Sequence, residues 1–137
     1  MNAVPFDFAQ AVAAARRAAE AQKAGETALR DSAADLAEKE RAYRVALAKQ
    51  IVREHAEGAA WTVAQDLARG NQAVAELRYE RDVAQGVLDA TSQRAWRHTA
   101  DRKDMLEFIQ WSRRRDLSEA HNPPRGDGQT FGARRAA

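Results

Sequence analysis

Residues 72–119 read QAVAELRYERDVAQGVLDATSQRAWRHTADRKDMLEFIQWSRRRDLSE. Within them Val74, Leu77, Arg81, Ala84, Leu88, Thr91, Ala95, His98, Arg102, Met105, Ile109 and Ser112 follow one another at alternating steps of three and four. That alternation is the period of a coiled-coil seam. The seam is apolar at both ends and polar in the middle, and Val83, Val87, Phe108 and Trp111 add to neighbouring faces. The spacing predicts a long helix over 72–119.

Upstream, Gly70 ends a short segment and Asn71 can cap the helix that follows. Thr62-Val63-Ala64-Gln65 matches a capping box, so a short helix is expected over 62–69. Trp61 before it either anchors the tip against the long helices or docks a partner. Gly58 suits the residue just past a helix end. The helix it would close runs from 6 to 57, softly interrupted at Gly25. Leu29, Leu36, Tyr43, Leu47 and Ile51 share one of its faces, with Ala33 between. Glu26–Arg30, Asp35–Lys39 and Glu40–Arg44 are acid-before-base pairs that support it. From Ala9 to Ala24 that face is almost only alanine, an arm expected to need a second subunit. Prolines occur only at Pro5, Pro123 and Pro124, outside both helices. Residues 120–137 read as a flexible Pro/Gly/Arg tail. The expected fold is all-α: a long antiparallel, coiled-coil-like helical hairpin with a short helix at its tip and a disordered C-terminal tail.

Composition agrees. Of 137 residues, 45% are hydrophobic, but 32 are alanine. Leu, Ile, Val and Phe number 22, about 16% of the chain, too few for an ordinary compact core. Abundant alanine and scarce Gly and Pro argue equally against disorder. There is no cysteine, hence no disulfide or thiolate metal site. No stretch has the apolar length of a membrane span, and no secretory signal is visible, so a cytoplasmic setting is expected. The net charge of +2 says little by itself about a nucleic-acid partner.

Charge position says more. If Gly58 stands opposite Gly70, facing residue numbers total about 128. Arg94, Arg97 and Arg102 then fall near Asp35, Asp31 and Glu26, and Lys49 and Arg53 near Glu80 and Glu76. Those cations have a structural reading as inter-helix ion pairs. Arg113, Arg114 and Arg115 fall near Ala13–Ala15, beside Arg16 and Arg17, gathering five arginines at the open end next to Trp111. Residues 91–137 hold ten Lys/Arg against six Asp/Glu. Arginines beside an exposed aromatic suit single-stranded nucleic acid, since guanidinium groups hold phosphates and an aromatic face stacks a base. The same residues could instead pack a helix interface and favour a helix C-terminus.

Catalytic constellations are missing. His55, His98 and His121 have no zinc-site spacing, and His98 reads as an interface or solvated residue. Gly126-Asp127-Gly128 lacks the strand and helix of a phosphate loop. No enzyme, cofactor or metal is expected.

The order of Tyr43–Lys49, Ala56-Glu57-Gly58, Thr62–Gly70 and Val74–Ala84 resembles small helical proteins of tailed phages laid out like the UvsY-type recombination mediators. The resemblance spans roughly residues 30–115. It implies a non-enzymatic homo-oligomer that binds single-stranded DNA and helps load a recombinase onto strands coated by single-strand-binding protein, in the host cell cytoplasm. It also implies DNA contacts near the end of the first helix, at Lys49 and Arg53. A structural or adaptor coiled coil of phage assembly is the alternative reading.

Overall fold

The computed structural model describes residues 7–121. The expected tail, with Arg125, Arg134 and Arg135, lies beyond them. Three helices follow one another: α1 (Phe8–Ala56), α2 (Trp61–Gly70) and α3 (Gln72–His121). The described residues contain no strand. α1 and α3 pack along each other as an antiparallel hairpin, each about 75 Å long.

The seam in α3 is where the sequence places it. Val74, Ala84 and Ser112 are buried and the other members are half-buried, Arg102 alone being exposed. On α1, Tyr43 is buried and Leu29, Leu36, Leu47 and Ile51 are half-buried. Ala33 is exposed, contrary to expectation, and Ser32 takes the inward place. A heptad that fits Leu29, Leu36 and Tyr43 puts 32 inward and turns 33 aside. The alanine arm is not partnerless: Ala11 is buried and Ala13–Ala15 are half-buried. Gly25 does not interrupt α1. A Cβ there would touch His98 Cδ2 at 3.5 Å and Ala95 Cα at 3.6 Å, so the glycine admits close approach of α3.

The ends are capped by identifiable groups. Asp7 Oδ1 accepts from the amides of Ala9 (2.9 Å) and Gln10 (3.2 Å), opening α1. Gly58 closes it with φ +106°, while its amide donates to His55 O and the Ala59 amide donates to Glu54 O. Asn71 Oδ1 accepts from Ala73 and Val74, opening α3 as expected. The capping box does not form. α2 starts earlier, at Trp61, with Ala60 as its N-cap and no side-chain cap. The earlier start brings the Trp61 ring onto His55, centroids 3.7 Å apart and 18° from parallel. His55 Nδ1 lies 2.8 Å from Ala59 O, which can only accept, so that nitrogen carries the proton. Trp61 thus fixes the tip by stacking on the last turn of α1 while staying half in solvent.

Registry differs from the expectation. Ser32 Oγ meets Thr91 Oγ1 at 3.4 Å, Arg102 Nη1 donates to Gln22 Oε1 at 2.9 Å, and Gly25 touches His98. These facing numbers total 123 or 124, not 128, a slip of about one helical turn. The cause lies at the tip. α2 lies chiefly against α1, with Ala64 and Ala68 fully buried, so the connection is not symmetric about its two glycines. α3 therefore starts level with about residue 51 of α1. The expected inter-helix ion pairs, from Arg94, Arg97 and Arg102 and from Lys49 and Arg53, are accordingly absent among the described residues. Within α1, Lys39–Asp35 (2.9 Å) and Arg44–Glu40 (2.6 Å) form as expected. Glu26 instead accepts from Gln22 Nε2 at 3.2 Å and leaves Arg30 unpaired.

Two substitutions test this packing. Ser112 is buried and its Oγ has no hydrogen-bond partner among the described residues. A buried hydroxyl left unpaired is destabilising, so Ser112→Ala is expected to raise unfolding stability by about 1 kcal/mol in urea titrations. Gly58→Ala forces a side chain into a left-handed conformation and is expected to lower it by about 1–2 kcal/mol.

Candidate nucleic-acid interface

The seam divides the hairpin into two flanks. On the first, Leu36, Glu40 and Arg44 line a groove with Arg81, Asp82 and Gln85. On the second, Ala21, Ala24, Gly25 and Ala28 line a groove of about 350 Å³ with Thr91, Arg94 and His98. A coiled coil keeps residues seven apart on the same flank, so both assignments extend along the helices.

Near the tip the first flank is electrically closed. Arg44 pairs with Glu40, Arg81 reaches Glu40 at 3.5 Å and Asp82 at 2.6 Å, and Arg78 approaches Asp82 at 3.9 Å. The Arg81 guanidinium lies 4.7 Å from the Tyr43 ring centroid. Its hydrogen bond to Asp82, with the charges of Asp82 and Glu40, raises its pKa above the ordinary value against the opposing effect of burial. Arg81 is a charged seam residue whose stem packs while its head is paired.

Toward the open end the first flank is open electrically. Arg30, Lys23 and Arg16 occupy the position of Arg44 two, three and four heptads along, and none pairs with a described acid. They span about 21 Å of helix. Trp96 and Lys103 repeat the position of Asp82, and Arg113 that of Gln85. Lys103 has only a loose contact with Glu107, at 3.9 Å. Trp96 is 77% exposed, the most exposed large apolar side chain among the described residues. By the register it lies between the levels of Lys23 and Arg30. Glu20 and Glu26 are the acids beside this row on α1, each three or four residues from two of its members.

The sequence-derived cluster is split rather than gathered. Arg16 and Arg113 share the first flank, Arg17, Trp111 and Arg115 lie on the second, and Arg114 points outward between them. The slipped register sets Arg113–Arg115 level with Phe8–Gln10, not Ala13–Ala15. Arg16 and Arg17 fall level with Glu107 and Leu106. Arg115 sits 5.2 Å from the Trp111 ring centroid and also approaches Asp116 (3.8 Å) and Glu119 (3.7 Å). Trp111 is 55% exposed and lies 6.3 Å from Phe108, ring to ring. Arg113 and Arg114 have no described acid partner. Lys49 lines a shallow apolar groove with Arg41, Ala42, Val45 and Ala46, far from the open end, and Arg53 belongs to the last turn of α1.

Of the row Arg16–Lys23–Arg30 and Trp96, the sequence singles out only Arg16; Lys23, Arg30 and Trp96 as members of a row are not among its candidates. Two signals were present: cations spaced by seven, and a tryptophan one residue past the seam member Ala95, where only an outward side chain can sit. Among the described residues no three His, Asp or Glu side chains converge as metal ligands do, and no helix is long and apolar enough to cross a membrane.

No protein-family model, curated protein or solved structure matches the chain.

The exposure of Trp96 has an optical consequence. Acrylamide is expected to quench wild-type fluorescence strongly, and Trp96→Phe to remove the most accessible component while Trp61 and Trp111 remain. Unchanged quenching in that variant would contradict the geometry.

Proposed function

We propose that the protein is a non-enzymatic helical hairpin that binds single-stranded nucleic acid along the open half of its first flank. The observation that carries this reading is the row Arg16, Lys23 and Arg30, without acid partners, beside the outward Trp96. Cations spaced along a helix can hold successive phosphates, and an exposed indole offers a stacking face of no base preference. Arg113 and Arg114 extend the cationic surface to the end of the hairpin, whereas Arg17, Trp111 and Arg115 lie on the other flank. Recombination or replication mediation in a phage, with a homo-oligomer organising a strand coated by single-strand-binding protein for a recombinase or annealing protein, is the cellular use we assign to such binding. Lys49 and Arg53 have no part in it, being near the tip. The second reading, a structural or adaptor coiled coil, is favoured by the half-exposed Val45, Val83 and Val87 on the second flank; its test is capture of an assembly partner with no affinity for oligonucleotides.

Fluorescence anisotropy with labelled single- and double-stranded oligonucleotides across salt decides between them. The expected result is salt-sensitive preference for single strands. Replacing Arg16, Lys23 and Arg30 together with alanine should reduce the slope of log affinity against log salt by about 2. Trp96→Ala should cost about 1–3 kcal/mol of binding. Replacing Arg113, Arg114 and Arg115 with alanine should also weaken binding. Absence of binding at low salt would reject the reading outright.

A further inference from the structure

We infer that the second flank is the docking surface for a second copy of this chain, two hairpins packing side by side as a four-helix bundle. The argument is independent of nucleic-acid binding.

The monomer leaves too much surface open. It exposes 11517 Å², against about 7100 Å² for a compact protein of 15.2 kDa. Its buried apolar set among the described residues is four alanines with Tyr43 and Val74. The exposed apolar residues are not scattered. Val45 on α1, with Val83 and Val87 on α3, are each about half exposed and lie on the second flank in its tip half, Val45 about one turn nearer the tip than Val83 and two turns nearer than Val87 by the register. Farther along, Ala21, Ala24 and Ala28 leave a groove wide enough to admit a neighbouring helix.

Charge fixes the occupant as this same flank. On α1 the second flank carries Asp31, with Asp35 and Glu38 beyond it paired to Lys39 and Arg41 of their own helix, and on α3, at nearly the same level as Asp31, Arg94 and Arg97. Nearer the open end the signs exchange: Arg17 on α1, Asp101 and Asp104 on α3. None of Asp31, Arg94, Arg97, Arg17, Asp101 and Asp104 forms an ion pair with a described residue. Across its own groove Arg94 faces Ala24 and Ala28 instead. A two-fold axis parallel to the helices keeps every level in place and lays α1 of one copy on α3 of the other. Asp31 then meets Arg94 and Arg97 of the second copy, and Arg17 meets its Asp104, twice over by symmetry. The stretch from residue 14 to 45 is about 46 Å long and about 20 Å across two helices. That is about 900 Å² per copy, above the roughly 800 Å² typical of a stable partner. A two-fold perpendicular to the helices near residue 24 would instead pair Asp31 with Arg17 and Arg94 and Arg97 with Asp101 and Asp104, an arrangement that Asp31→Arg would not restore.

Sedimentation equilibrium of the full chain tests this. The wild type is expected to be dimeric or larger, and Val83→Asp combined with Val87→Asp to raise the dissociation constant at least about tenfold. Both valines are half exposed, so helicity by circular dichroism should persist; if it does not, the charge variants decide. Arg94→Glu with Arg97→Glu should weaken association at low salt, and adding Asp31→Arg should restore it. A wild type that stays monomeric, a double-aspartate variant that keeps its helicity and associates like the wild type, or failure of Asp31→Arg to restore association would each overturn the proposal.

Discussion

Everything in this molecule depends on close approach of two helices that have few large side chains between them. Ala11, Gly25 and Ala84 lie at or near the contact, and the larger seam residues are spread thinly among polar ones. Alanine and glycine bring little transfer energy, but they let the helix backbones come near enough for hydroxyl–hydroxyl and guanidinium–amide contacts across the seam. Thr91 illustrates it. Its hydroxyl donates to Val87 O at 2.7 Å, so it receives the Ser32 hydroxyl as an acceptor, and a polar layer is satisfied without a charge. The hairpin is held by many weak layers in series rather than by one core.

This explains which parts of the fold were legible in the sequence. The α3 seam was, because a strict alternation of three and four survives even where the members are Thr91, His98 and Arg102. Helix ends at Gly58 and Asn71 were, because each meets a local stereochemical need that no distant contact overrides. The register was not. It depends on how α2 folds against α1, and that follows from the burial of Ala64 and Ala68 and the stacking of Trp61 on His55. Neither contact has a sequence period. The same stacking overrode the capping box: a modest local preference at Thr62 yielded to an aromatic contact that needs Trp61 inside the helix.

A register error of one turn has little effect on which face is buried and a large effect on which charges meet. That is why the seam stood and the expected ion pairs did not. Exposed pairs contribute little, so nothing in their energies could have pinned the register in advance. Arg81 is the exception that shows the rule. It is only 24% exposed, is held by Tyr43, Glu40 and Asp82 together, and lies within the seam itself. An ion pair that shares the packing constraint is fixed by it, whereas one at the rim merely follows.

The near-balance of charge takes on a different meaning once residues are sorted by heptad position. Summed along the chain the cations exceed the acids by two. Sorted by flank, the first is neutralised near the tip and cationic toward the open end, while the second alternates in sign between α1 and α3. A ligand of uniform negative charge fits the first pattern and not the second, because the second would repel it at Asp31, Asp101 and Asp104. A surface of alternating sign fits the second and not the first. The two flanks are therefore suited to different partners, and a hairpin without a core of its own can use one to complete its packing while the other stays free.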